Sequence, residues 1–70
     1  MLKEIFEQLV FGNNWDTKKF LDGVYIYENS AYRVMVRINS PVPHCFSIME
    51  DLVHYSIIEI TSISFIKLAR

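Results

Sequence analysis

The stretch Val24-Tyr25-Ile26-Tyr27-Glu28-Asn29-Ser30-Ala31-Tyr32-Arg33-Val34-Met35-Val36-Arg37-Ile38 decides the fold. Apolar and aromatic residues recur with a period of two on both sides of Asn29-Ser30, the pattern of two strands joined by a tight turn. A two-residue turn sets Tyr27 against Tyr32 and Tyr25 against Val34. One face then carries Tyr25, Tyr27, Tyr32, Val34, Val36 and Ile38 and is expected to meet the core. The other carries Val24, Ile26, Glu28, Arg33, Met35 and Arg37, apolar groups mixed with charged ones. A slip of one residue would exchange the two faces.

Upstream, Leu2, Ile5, Phe6, Leu9 and Val10 recur at helical spacing, with Lys3, Glu4, Glu7 and Gln8 between them and Gly12-Asn13-Asn14 as the stop. A short second helix is expected through Thr17-Lys18-Lys19-Phe20-Leu21, capped by Asn14 or Asp16 and closed by Gly23, with Trp15, Phe20 and Leu21 packing it down. Downstream, Ser40-Pro41-Val42-Pro43 ends the hairpin, and a helix is expected from about His44 to His54, prolines being tolerated at a helix start. Its apolar arc holds Cys45, Phe46, Ile48, Met49, Leu52 and Val53; its wet side holds Ser47, Glu50, Asp51 and His54. The β-branched run from Ile57 to Leu68 reads as a long strand whose alternation changes phase near Thr61-Ser62, the mark of a bulge.

These elements predict a single α+β domain over residues 1–70. The expected core is a small three-stranded sheet of split β-α-β type, made of the hairpin plus the C-terminal strand. N-terminal helical segments and one crossover helix pack on one face. In that arrangement the last two strands run parallel, joined by a right-handed crossover, and the first hairpin strand lies between them.

A chain of 70 residues with 51% hydrophobic and 14% aromatic residues is below the size at which a lone core is comfortable, such cores giving roughly 3–5 kcal/mol. The usual reinforcement by an internal disulfide is excluded by a single cysteine, Cys45, so a partner chain is the expected support. One unpaired cysteine also fits a reducing, cytoplasmic setting. The acids in Met1-Leu2-Lys3-Glu4-Ile5-Phe6-Glu7 are foreign to a secretory leader, and Ile57 to Leu68 is too short and polar for a membrane span. Seven Lys and Arg against eight Asp and Glu give a net charge of −1, without the global basic field that draws in nucleic acid.

The pattern holds no site chemistry. Glu50 lies one helical turn before His54, so the two are expected to meet as an ion pair on the exposed face of the helix, two converging side chains falling short of a metal's three or four ligands. His44 and Cys45 are adjacent and point apart on a helix, so they make no nucleophile and base; Cys45 on the apolar arc reads as a small core residue. Asp51 reads as a solvated carboxylate, and Ser62 and Ser64 lack a local acid–base partner. The two glycines stand apart as punctuation, unlike a phosphate-cradling loop. The aromatics are needed in the core more than on a base-stacking platform.

The expectation is therefore a non-enzymatic binding protein without cofactor or metal. It is read as an inhibitor or regulator of phage or bacterial type that occludes a surface of a larger partner protein, alone or as a homodimer, through Val24, Ile26, Glu28, Arg33, Met35 and Arg37. Val24, Ile26 and Met35 would form the apolar centre and the arginines the rim. The alternative is a small nucleic-acid binder using Arg33, Arg37, Lys18 and Lys19; a third class is an enzyme whose site is assembled across a dimer.

Overall fold

The computed structural model describes residues 1–39 and 45–69. Along the chain run α1 (Leu2–Phe11), β1 (Thr17–Leu21), β2 (Val24–Glu28), β3 (Tyr32–Asn39), α2 (Phe46–His54) and β4 (Glu59–Lys67). The strands form one sheet in the order β1-β2-β3-β4, with every neighbouring pair antiparallel. The α+β class, the hairpin, α1 and the helices gathered on one sheet face agree with the sequence pattern. The number of strands and the path after β3 do not.

The first correction is the segment 17–21, a strand where a helix was expected. Its cause is Asp22-Gly23, whose φ angles of 51° and 77° are both positive. Two successive left-handed residues make the primed turn whose twist matches a two-residue hairpin, and Leu21 lies directly opposite Val24. Gly23 is thus a turn residue of a β1–β2 hairpin and not a helix cap. The second correction follows from the first. β1 occupies the flank of β2 that the C-terminal strand was expected to take, so β4 has only the far edge of β3 and runs antiparallel to it. The connection through α2 is a long hairpin link, not a parallel crossover. Of the expected helix start, His44 and the Ser40-Pro41-Val42-Pro43 break lie outside the described residues.

The β2–β3 turn is wider than two residues: Tyr27 faces Val34, Tyr25 faces Val36, and Glu28 faces Arg33. The reason is Asn29, whose Oδ1 accepts from the amides of Ala31 and Tyr32 at 2.9 and 2.8 Å, while its backbone amide donates to the Tyr32 carbonyl. Such an Asx arrangement satisfies the turn's backbone by a side chain. The shift is by an even number, so every side chain keeps its expected face. The bulge near Thr61-Ser62 is present: Arg37 faces Ser62 and Ile38 faces Ile60, leaving Thr61 over, with its hydroxyl donating to the Arg37 carbonyl.

The core lies between the helices and one sheet face. Phe6, Tyr25, Tyr27, Val34, Val36 and Met49 are fully enclosed, and Trp15, Phe20 and Phe46 pack against them. Each such side chain is worth roughly 1.5–3 kcal/mol of burial. The Tyr27 hydroxyl lies 3.6 Å from the Met49 sulfur, and burial pushes its pKa well above the ordinary tyrosine range. The Trp15 indole donates to the Val10 carbonyl at 3.0 Å, which closes the end of α1. The end of α2 closes on Ser56, in a left-handed conformation with φ of 60°; the amides of Ser56 and Ile57 donate back to the carbonyls of Val53 and Leu52, a Schellman closure.

The Gly23 turn yields a clean test. A Cβ at Gly23 would meet nothing within 4 Å, so Gly23→Ala changes only backbone preference. It is expected to lower the unfolding free energy by about 1–2 kcal/mol, measured by urea denaturation, with the slope of the transition unchanged.

Candidate functional site

The strand pleat sorts side chains by parity, and the registers carry that sorting across the sheet. On the face away from the helices β2 presents Val24, Ile26 and Glu28, and β3 presents Arg33, Met35 and Arg37; Val24 faces Arg37, Ile26 faces Met35 and Glu28 faces Arg33. All six candidate residues therefore lie on one continuous surface. The neighbouring strands extend it: Lys19 faces Ile26 and Leu21 faces Val24 on one side, while Ile66 faces Arg33 and Ser64 faces Met35 on the other. Val24, Ile26 and Met35 are half-buried by their neighbours in the sheet, whereas Leu21 and Ile66 are 59% and 41% exposed. No described helix covers this face, the buried core lying wholly on the other side.

Its electrostatics are local. Arg33 Nε donates to Glu28 Oε2 at 2.7 Å across the β2–β3 pair. Both side chains are partly exposed, so the pair is worth at most about 1 kcal/mol and chiefly fixes the orientation of the guanidinium. Arg37 projects into solvent.

The basic cluster expected from Lys18-Lys19 is divided by the strand that replaced the helix. Lys18 faces Tyr27 and Lys19 faces Ile26, which puts them on opposite faces. The Lys18 ammonium binds Glu50 of α2 at 3.1 Å and sits 5.9 Å from the centre of the Tyr27 ring. It belongs to the packing of the helical side, leaving Lys19 alone beside the arginines.

The residues considered for chemistry disperse. Glu50 is taken by Lys18, and His54 instead approaches Glu7 of α1, Nδ1 to Oε1 3.8 Å, correcting the expected Glu50–His54 meeting. Asp51 is exposed. Among the described residues no group of three or more His, Cys, Asp or Glu is placed to hold a metal ion, and none of the helices is long and apolar enough to cross a membrane.

Cys45 is a correction of another kind. It is exposed, and it stands at the cap position before α2, not on the apolar arc. Its sulfur lies 3.4 Å from the Ser47 hydroxyl. That hydroxyl, and then the Ile48 amide of the first helical turn, hold its pKa below the ordinary thiol value.

A concave feature without any sequence signal is a groove of about 550 Å³ between the start of α1, the end of α2 and the start of β4. Leu2, Val53, Ile57, Ile58 and Ile60 form its walls, with Lys3 and Glu59 also lining it. Lys3 donates to the Ser56 hydroxyl at 2.9 Å, tying the two helix ends together across the groove.

Comparison with known protein families, curated proteins and solved structures found no match to this chain.

The Cys45 environment has a measurable consequence. Thiolate, not thiol, is alkylated, so the rate of iodoacetamide modification is expected to rise with pH at a midpoint below that of a free cysteine. Ser47→Ala is expected to move the midpoint upward, towards the ordinary value, because the hydroxyl that most stabilises the thiolate is lost.

Proposed function

We propose that this chain is a protein-binding module, an inhibitor or regulator that acts by occluding a surface of a larger partner. The observation that carries the reading is the open sheet face. An apolar stripe of Leu21, Val24, Ile26 and Met35 crosses β1, β2 and β3, and Arg33, Arg37 and Lys19 lie along it. An apolar centre with an arginine-bearing rim is the anatomy of a recognition surface between proteins. A small phage or bacterial inhibitor of cytoplasmic targets is the setting that this size and composition suggest; that part of the reading rests on analogy alone.

The same geometry weakens the nucleic-acid alternative. Such a site would gather its cations into one groove along a phosphate backbone. Here Lys18 is paired with Glu50 on the far face, and Arg33 is paired with Glu28. The charges left on the open face alternate with apolar side chains, an arrangement that favours desolvated contact over counterion release.

Affinity capture from the native host, using the tagged chain and its variants side by side, tests this. Arg33→Glu combined with Arg37→Glu, and separately Met35→Glu, are expected to lose the bound protein by tenfold or more, with circular dichroism unchanged because the positions point away from the core. Salt discriminates the readings. A complex built on several phosphate contacts loses roughly three decades of affinity between about 50 and 200 mM salt; the expected complex loses far less. Retained capture by both variants, or a steep salt slope with ordinary RNA or DNA, overturns the proposal.

A further inference from the structure

The two edges of the sheet differ. β1 is five residues long and carries Lys18 and Lys19, the short, lysine-bearing form by which natural edges resist pairing. β4 is nine residues long and forms the opposite edge, joined to β3 along one flank. From Ile60 to Ile66 it reads Ile-Thr-Ser-Ile-Ser-Phe-Ile, without a charge or a proline. Phe65 and Ile66 are 48% and 41% exposed although they lie in a regular strand.

The hydrogen bonds say which backbone groups are outward. The Leu68 amide donates to the Ala31 carbonyl at 2.7 Å, and in an antiparallel ladder the bonded pairs alternate. Continuing that register, Ile66, Ser64 and Ser62 turn their N–H and C=O groups to Arg33, Met35 and Arg37. The amides and carbonyls of Ile63 and Phe65 consequently point away from the sheet, at the edge.

We infer that this edge pairs with the same edge of a second copy, β4 against β4 in antiparallel orientation about a two-fold axis at Ser64. In that register Ile63 of each copy faces Phe65 of the other, and their outward groups supply four reciprocal main-chain hydrogen bonds. Ser64 meets its own counterpart, and Ser62 meets Ile66. Parity is obeyed throughout, because Ile63 and Phe65 share the helical face with Val36 and Val34, and Ser62, Ser64 and Ile66 share the open face.

Charge selects the orientation. β4 begins at Glu59 and ends at Lys67, so antiparallel pairing puts the two Lys67 side chains, and the two Glu59 side chains, at opposite ends of the seam, whereas in-register parallel pairing would set like beside like. On the helical side the Phe65 ring, 4.9 Å from Tyr32, gains the partner's Ile63 as cover. The product is a closed isologous dimer with one eight-stranded sheet, which joins the two open faces into one surface. This inference does not depend on what that surface binds.

Sedimentation equilibrium of the full chain, with amide exchange followed residue by residue, tests it. The expected result is a monomer–dimer equilibrium in which the Ile63 and Phe65 amides gain protection as concentration rises. Ser64→Lys and Ser64→Asp, at an exposed position, place like charges against each other on the axis. Each is expected to raise the dissociation constant by roughly fivefold or more, and an equimolar mixture of the two is expected to restore association. A monomer at all concentrations, a dimer with freely exchanging Ile63 and Phe65 amides, or failure of the mixture to recover overturns the inference. Partner capture through Arg33 and Arg37 is a separate readout, so a monomer that still captures its partner refutes only the β4 pairing.

Discussion

Both helices, the link between α1 and β1, and β1 itself converge on the ring of Tyr27. Phe6 of α1 meets it at 6.2 Å between centroids, Trp15 of the α1–β1 link at 6.1 Å and Phe46 of α2 at 5.6 Å. Met49 receives its hydroxyl and Lys18 of β1 lies over its face. Aromatic pairs of this kind add about 0.5–1.5 kcal/mol each beyond the area they bury, and in a 70-residue chain a few such terms are a large share of the net stability. A buried tyrosine also needs somewhere to send its hydroxyl. Burial holds the phenol neutral, and its contact with the Met49 thioether, a weak acceptor, joins the Lys18–Glu50 pair and the Phe46 ring in tying α2 to the sheet.

The burial of Tyr27 has a price on the opposite face. A strand that commits alternate residues to a core must present the others elsewhere, and β2 and β3 present Val24, Ile26 and Met35 alongside Glu28, Arg33 and Arg37. Both described helices lie on the tyrosine side, and nothing in the described chain covers that second face. The Glu28–Arg33 pair shows how it is kept orderly in water: a cross-strand ion pair of small net worth fixes two long side chains beside the apolar stripe without filling it.

The hairpin faces were legible in the sequence because parity survives an even-numbered error in the turn; Tyr25, Tyr27, Val34 and Val36 stayed inside although Asn29 widened the loop. The α1 stripe and the Thr61 bulge were legible for the same reason, each being a periodicity or a break in one. Residues 17–21 were not, since five residues cannot distinguish a period of 3.6 from a period of two when Phe20 and Leu21 are adjacent. The informative signal was Asp22-Gly23, a strong hairpin dipeptide. The site followed the same division: the six face residues share one hairpin and could be grouped from its alternation. The groove between Leu2, Val53 and Ile60 joins segments distant in the chain, and the separation of Lys18 from Lys19 depends on the strand that the Asp-Gly turn creates.

That turn sets more than its own hairpin. By folding residues 17–21 back along β2 it fills the one position from which β4 could have run parallel to β3, and it converts an α-helical crossover into the long arm of a meander. All sequential strands are then neighbours, which keeps contacts local and loop closure inexpensive for a chain with little core to spend on it. It also decides what the edges are made of. The short lysine-bearing segment replaces β3 as one border, while the long isoleucine-rich segment is a border in either arrangement. Two left-handed residues at positions 22 and 23 thus decide that β1, and not β3, forms the border opposite β4.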